Sequence, residues 1–138
     1  MKEYISKHNT FSFKYPDNWT LEQEDNLITA YHANGVGALN ISYYHLPDNY
    51  QINKVDELID YIKEGSVEIN TEGLKPKILD NEKFAYVDFI STDNDYWQYW
   101  IFSDGKVAVF VTYNCEQADK KQEIGVIQEI TNSINILS

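Results

Sequence analysis

Three runs between Phe84 and Tyr113 carry apolar side chains at nearly every position: Phe84 to Ser91, Trp97 to Phe102 and Val107 to Tyr113. A strand of that kind has no face suited to water, so both of its sides need cover, unlike a strand in a half-wet sheet. Asp104-Gly105, between the last two runs, suits a tight hairpin because both residues tolerate positive φ. The runs are therefore read as the central strands of a sheet buried on both faces.

Two amphipathic segments can supply that cover. Asn53 is an N-cap residue with Asp56 three positions on, and Val55, Leu58, Ile59 and Ile62 fall on one helical stripe. Ile69 continues the stripe past Gly65, which predicts a helix to about Asn70 in spite of a glycine that costs about 1 kcal/mol. Gly73 and Pro76 end it in any case. The second segment, Glu116 to Leu137, places Ile127, Ile130, Ile134 and Leu137 on one face with Ile124 beside them.

The first third of the chain has the period of a sheet. Phe11, Phe13 and Tyr15 alternate with Ser12 and Lys14, Pro16-Asp17-Asn18 turns the chain, and Trp19 and Leu21 resume the alternation. Leu27 to Ala33 and Gly37 to Leu46 flank Asn34-Gly35, a second hairpin signal. Together these strands read as a β-meander whose first corner is Phe11 to Trp19. No repeat, linker or low-complexity stretch interrupts the 138 residues, so one α+β layered domain, residues 1–138, is expected. A chain of this size buries enough surface to fold without disulfides or metal.

Charge narrows the choice of partner. Twenty-two carboxylates stand against 11 lysines, with no arginine, for a formal net charge of −11. Nucleic acid is not expected as a partner, since phosphates are gripped by clustered Lys and Arg, and an anionic membrane surface is disfavoured for the same reason. A basic protein partner is the one such a field attracts. Cys115 is the single cysteine, which fits a reducing compartment. Behind Met1 the charged Lys2, Glu3 and Lys7 precede no apolar run, so the expectation is a cytoplasmic protein.

No catalytic constellation stands out, and neither a cofactor nor a metal is expected. His8, His32 and His45 are scattered, although His32 and His45 flank the Asn34-Gly35 hairpin and would form a weak metal pair if they faced each other. Cys115 lacks a nearby histidine base and reads as a buried, inert thiol. Asp93-Asn94-Asp95 reads as a turn, short of the oxygen ligands of a calcium loop. Dinucleotide, Walker and nucleophile-elbow motifs are missing. Asp88 is the unusual acid, flanked by Val87 and Phe89 in a central strand, where a carboxylate needs a partner. Aromatic density is the remaining feature: Tyr96, Trp97, Tyr99 and Trp100 crowd one strand, and large amphipathic rings are favoured in interfaces and ligand grooves. These four and Asp88 are the candidate binding residues.

The segment Phe13-Lys14-Tyr15-Pro16-Asp17-Asn18-Trp19, followed by a meander, a helix, a strand hairpin and a C-terminal helix, resembles the PsbP-like superfamily. That superfamily holds the PsbP extrinsic photosystem proteins, the eukaryotic Ran-binding nuclear import factor and bacterial DcrB-like proteins. In element order the resemblance covers nearly the whole chain; its specific part is the Tyr-Pro-x-x-Trp stretch. It implies an α/β/α sandwich with a central, largely antiparallel sheet flanked by helices. Members of known function are mainly binders or adaptors, among them bacterial chaperone-adaptors of type VI secretion effectors. No functional residue carries over, because no motif here matches the import factor's Ran-binding residues. The expected function is thus a non-catalytic protein-binding domain, of adaptor, chaperone or immunity type, for a basic partner. The alternative is a small-molecule binding protein, and behind it an enzyme, with an aromatic-lined pocket near Asp88 or the Trp97 to Phe102 strand.

Overall fold

The computed structural model describes residues 1–65, 68–69 and 77–137. The chain opens with β1 (Lys2–Ile5) and β2 (Phe11–Tyr15), then runs through β3 (Trp19–Glu24), β4 (Leu27–His32) and β5 (Gly37–His45). Next come α1 (Lys54–Glu64), β6 (Leu79–Asp80), β7 (Phe84–Ile90), β8 (Asp95–Ser103), β9 (Val107–Glu116), α2 (Ile124–Asn132) and β10 (Asn135–Ile136). Seven strands in the order β3-β4-β5-β9-β8-β7-β6 make the main sheet, with every neighbouring pair antiparallel. The three apolar runs are β7, β8 and β9, and β8 lies hydrogen-bonded between the other two. Both hairpins form where the dipeptides stand, Gly105 at φ 93°.

Strand alternation sends the side chains of β8 to two separate cores. On one face Tyr96, Trp100 and Phe102 pack with Ile127 and Ile130 of α2, Ile134 beyond it, and Phe11 and Phe13 of β2. On the other, Tyr99 and Ile101 join Ala85, Val87 and Phe89 around Leu58 of α1. Each helix therefore covers one side of the same strands, giving the α/β/α sandwich. Among the described residues no helix is long and apolar enough to cross a membrane.

Three features of the fold depart from the periodic reading. β2 is not part of the main sheet: it lies between β1 and β10 in a small antiparallel sheet of its own, packed on the α2 side. Phe11 to Trp19 is consequently a crossing between sheets rather than the first corner of one. Ser12, read as wet, is buried because Ile5 and Asn135 flank it as pairing partners. The first helix stops at Glu64, where Gly65 leaves helical geometry (φ −73°, ψ 161°), and Ile69, assigned to its stripe, instead forms a β-bridge with Ser91. Gly73 and Pro76 lie outside the described residues.

The C-terminal helix is shorter as well. β9 carries Glu116 and α2 ends at Asn132, after which the chain straightens so that Asn135 and Ile136 pair with β2 and the Leu137 amide donates to Thr10 O at 2.9 Å. Backbone pairing to a strand more than a hundred residues away outweighs the local 3.6-residue period there. Ile134 stays buried without being helical.

Candidate functional site

Of the aromatic residues singled out on β8, Tyr96, Tyr99 and Trp100 are only 5%, 4% and 6% exposed, Trp97 is half-buried, and Asp88 on β7 is exposed. The aromatics do not form one surface. Tyr96 and Trp100 face α2, whereas Trp97 and Tyr99 face α1. What the fold assembles is a different site on each face.

On the α1 face the helix presents Glu57, Asp60, Tyr61 and Glu64 at spacings of three and four, so that they share one stripe. Leu58 on the inward stripe fixes the helix against β7 and β8, which sets that acidic stripe over the neighbouring strands β9 and β5. Tyr61 stacks on Phe110 of β9 with ring centroids 5.0 Å apart, and Tyr44 of β5 meets the same Phe110 ring edge-on at 5.7 Å. Tyr44 and Tyr61 remain 47% and 37% exposed. Between these rings and Glu57, Asp60 and Glu64 lies an open hollow of about 330 Å³ that, among the described residues, no lysine lines. Tyr50 donates its hydroxyl proton to Glu57 Oε1, holding that carboxylate in place. Three like charges on one helical stripe repel one another, and a cation seated among them would relieve that repulsion while its flanks met π faces. Sequence reading missed this site because its rings come from three elements; the one local signal is the i, i+3, i+7 spacing of Glu57, Asp60 and Glu64.

On the α2 face a cavity of about 270 Å³ opens between β6, β7 and β8 and the outer side of α2. Phe84 and Trp100 wall it, and Tyr86 and Gln98 supply polar groups. Asp88, expected to need a partner as a buried acid, is instead exposed, and its Oδ2 accepts the Tyr96 hydroxyl proton at 2.8 Å; within the cavity Gln98 Nε2 donates to the Tyr86 hydroxyl oxygen at 2.9 Å. Gln98 was not singled out from the sequence; its place as an amide inside an otherwise apolar run is the signal that could have found it.

Burial governs the ionisation of these phenols. It pushes Tyr99 up to about 12 and raises Tyr86, Tyr96 and Tyr113 as well, with Tyr96 further held protonated by Tyr86 and by Asp88. In the unfolded chain a tyrosine titrates near its ordinary value of about 10. Below that pH both states keep the proton; above it the unfolded chain binds fewer protons than the folded one, so stability falls as pH rises toward the folded values. Alkaline unfolding beginning above about pH 10 is expected, with ultraviolet titration showing these rings ionising only as the chain unfolds. Smooth titration of all 11 tyrosines in the folded state near their ordinary value would contradict the burial.

The remaining candidates stay apart. His32 and His45 sit at opposite ends of the β4–β5 hairpin: His32 Nδ1 accepts from the Asn34 amide at 3.0 Å, while His45 pairs with Val107. Cys115 is buried, and burial raises its thiol. Among the described residues no three His, Cys, Asp or Glu side chains converge in a way that could hold a metal ion.

No protein-family model matches the chain, and no curated protein sequence matches it. Solved structures do. Cyanobacterial PsbP (CyanoP) from Synechocystis superposes with a TM-score of 0.70 at 8% identity, over 99% of this chain and 92% of that one. The Ran-binding protein Mog1p of Saccharomyces cerevisiae gives a TM-score of 0.58 at 8% identity, over 98% and 94% of the two chains. A crystal structure from Bacteroides thetaiotaomicron gives 0.60 at 18% identity over 99% of this chain, which spans about half (48%) of that protein. The chain has the fold shared by PsbP and Mog1p, as the Tyr-Pro-x-x-Trp resemblance implied.

Proposed function

We propose that this chain is a non-catalytic binding domain whose partner is a basic protein segment, seated by a Lys or Arg side chain in the hollow between α1, β5 and β9. The observation that supports this reading is the placing of Tyr44, Tyr61 and Phe110 around Glu57, Asp60 and Glu64. Aromatic faces and carboxylates together are the chemistry that recognises an alkyl-ammonium or guanidinium group. The long-range field agrees: from Tyr15 through Asn53 the chain contains Asp17, Glu22, Glu24, Asp25 and Asp48 and no lysine. Charge of one sign over that extent speeds encounter with an oppositely charged partner. Mog1p, with the same fold, is a Ran-binding protein, and an adaptor, chaperone or immunity-type role fits a domain that binds and does no chemistry.

Affinity purification from the native source, repeated with the Glu57→Gln/Asp60→Asn/Glu64→Gln variant, tests the assignment. A partner recovered by the wild type should be basic at its contact, bind more weakly as salt rises, and lose at least about tenfold in affinity with the variant, or about 1.4 kcal/mol. Equal recovery by both proteins, or repeated failure to find any stoichiometric partner, would remove the hollow from consideration.

A further inference from the structure

The α2-side cavity is independent of the acidic hollow and lies on the opposite face of the sheet. Its polar groups are ordered. Asp88 accepts only, so Tyr96 donates to it. Gln98 donates Nε2–H to the Tyr86 oxygen at 2.9 Å. With its Nε2 given to Tyr86, the Gln98 amide has Oε1 as its one remaining polar atom. Gln98 is 5% exposed, and its Oε1 has no hydrogen-bond partner among the described residues.

An amide oxygen buried without a donor is uncommon in folded proteins and destabilising until a donor reaches it. Phe84 and Trp100 line the same cavity as Gln98, together with two exposed apolar side chains, Leu79 and Ile124. Among the described residues no lysine lines the cavity. Lys83, near its end, gives its ammonium to Asn132 O at 3.0 Å and lies over the Phe102 ring. A volume of about 270 Å³, about nine water molecules at liquid density, admits one fused ring pair with room to spare.

From this arrangement we propose that the cavity between β7, β8 and α2 is a binding site for a small, uncharged, planar ring compound that donates an N–H to Gln98 Oε1 and stacks between Phe84 and Trp100. An anion is disfavoured, because the polar end accepts hydrogen bonds and the field is negative. A donor-free hydrocarbon of the same shape leaves Oε1 unpaired, and sites with such an orphaned group reject the analogue that cannot satisfy it.

The test is an NMR titration of the intact protein with three probes: indole, its donor-free isostere indene, and benzoate. Indole should shift the Gln98 side-chain amide and the Trp100 ring N–H, and bind at least about tenfold more tightly than indene; benzoate should leave both signals in place. In the Gln98→Met variant, whose fold is checked by its own amide spectrum, indole and indene should bind alike. Indole and indene binding equally to the wild type would overturn the proposal even if the variant failed to fold. So would a spectrum that none of the three probes perturbs, which would mean that water alone occupies the cavity.

Discussion

Replacing Trp19 with alanine is expected to lower the unfolding free energy by about 3 to 5 kcal/mol, the cost of deleting a large aromatic side chain from a packed core. Trp19 is 7% exposed and belongs to the same core as Phe11, Phe13 and the α2 isoleucines. It is also the first residue of β3, and its amide donates to Pro16 O at 3.0 Å, closing the turn that carries the chain from the small sheet to the edge of the large one. The alanine variant keeps that backbone bond and loses the ring that fills the space beneath it. Equilibrium urea unfolding of both proteins measures the difference, and a fall in melting temperature on the order of 10 °C should accompany it. A variant that unfolds like the wild type would place the indole outside the core.

Glu123→Ala should be nearly as damaging, at about 3 kcal/mol, for a different reason. Glu123 is 8% exposed and sits just before α2, yet its side chain does not cap that helix. Its Oε1 instead accepts from the Val36 amide at 3.3 Å, the Gly37 amide at 3.0 Å and the Tyr113 hydroxyl at 2.8 Å. One carboxylate thus joins the β4–β5 hairpin, the central strand β9 and the start of α2. Hydrogen bonds to a charged acceptor are stronger than neutral ones, and removing the acceptor leaves buried donors that must be desolvated without return. Glycine at 35 and 37 is what lets the hairpin come so close: a Cβ on Gly35 would lie 2.5 Å from Glu123 Oε2, and one on Gly37 would run into Asn114 O and the Tyr113 ring. Besides the loss of stability, hydrogen exchange at the Val36 and Gly37 amides should accelerate in Glu123→Ala, while Glu123→Gln, which retains an acceptor oxygen, should lose roughly 1 kcal/mol. An alanine variant within about 0.5 kcal/mol of the wild type, the range of neutral surface changes, would show that the three contacts are incidental.

The burial of Trp19 was legible in the alternation that Trp19 and Leu21 resume, whereas the contacts of Glu123 could not be read from local spacing, and the same contrast separates the two candidate sites. Asp88 stands out because the strand around it is apolar, but it proves exposed, and that Tyr96 supplies the proton follows from the register of β7 on β8, which sets Ile90 opposite Tyr96 and Asp88 opposite Gln98. The density of the four β8 aromatics is visible in one dimension and suited either a binding surface or a core; pleating divides them between two cores. Tyr44 and Phe110, separated by more than sixty residues, become neighbours only because β5 pairs with β9, and α1 then brings Tyr61 and its acids over them.

The chain's own order of residues was enough to establish that β7, β8 and β9 need cover on both faces, that two amphipathic helices provide it, and that Asn34-Gly35 and Asp104-Gly105 turn hairpins. All of these rest on signals within a few residues of one another: side-chain periodicity, capping and turn-forming dipeptides, of which Gly105 takes positive φ and Gly35 does not. Long-range contact settled the rest: the assignment of Phe11 to Tyr15 to a second sheet, the early end of both helices, the acidic hollow and the unpaired oxygen of Gln98. Backbone pairing between strands distant in sequence, and the choice of which buried side chain meets which, depend on three-dimensional packing that no local period encodes.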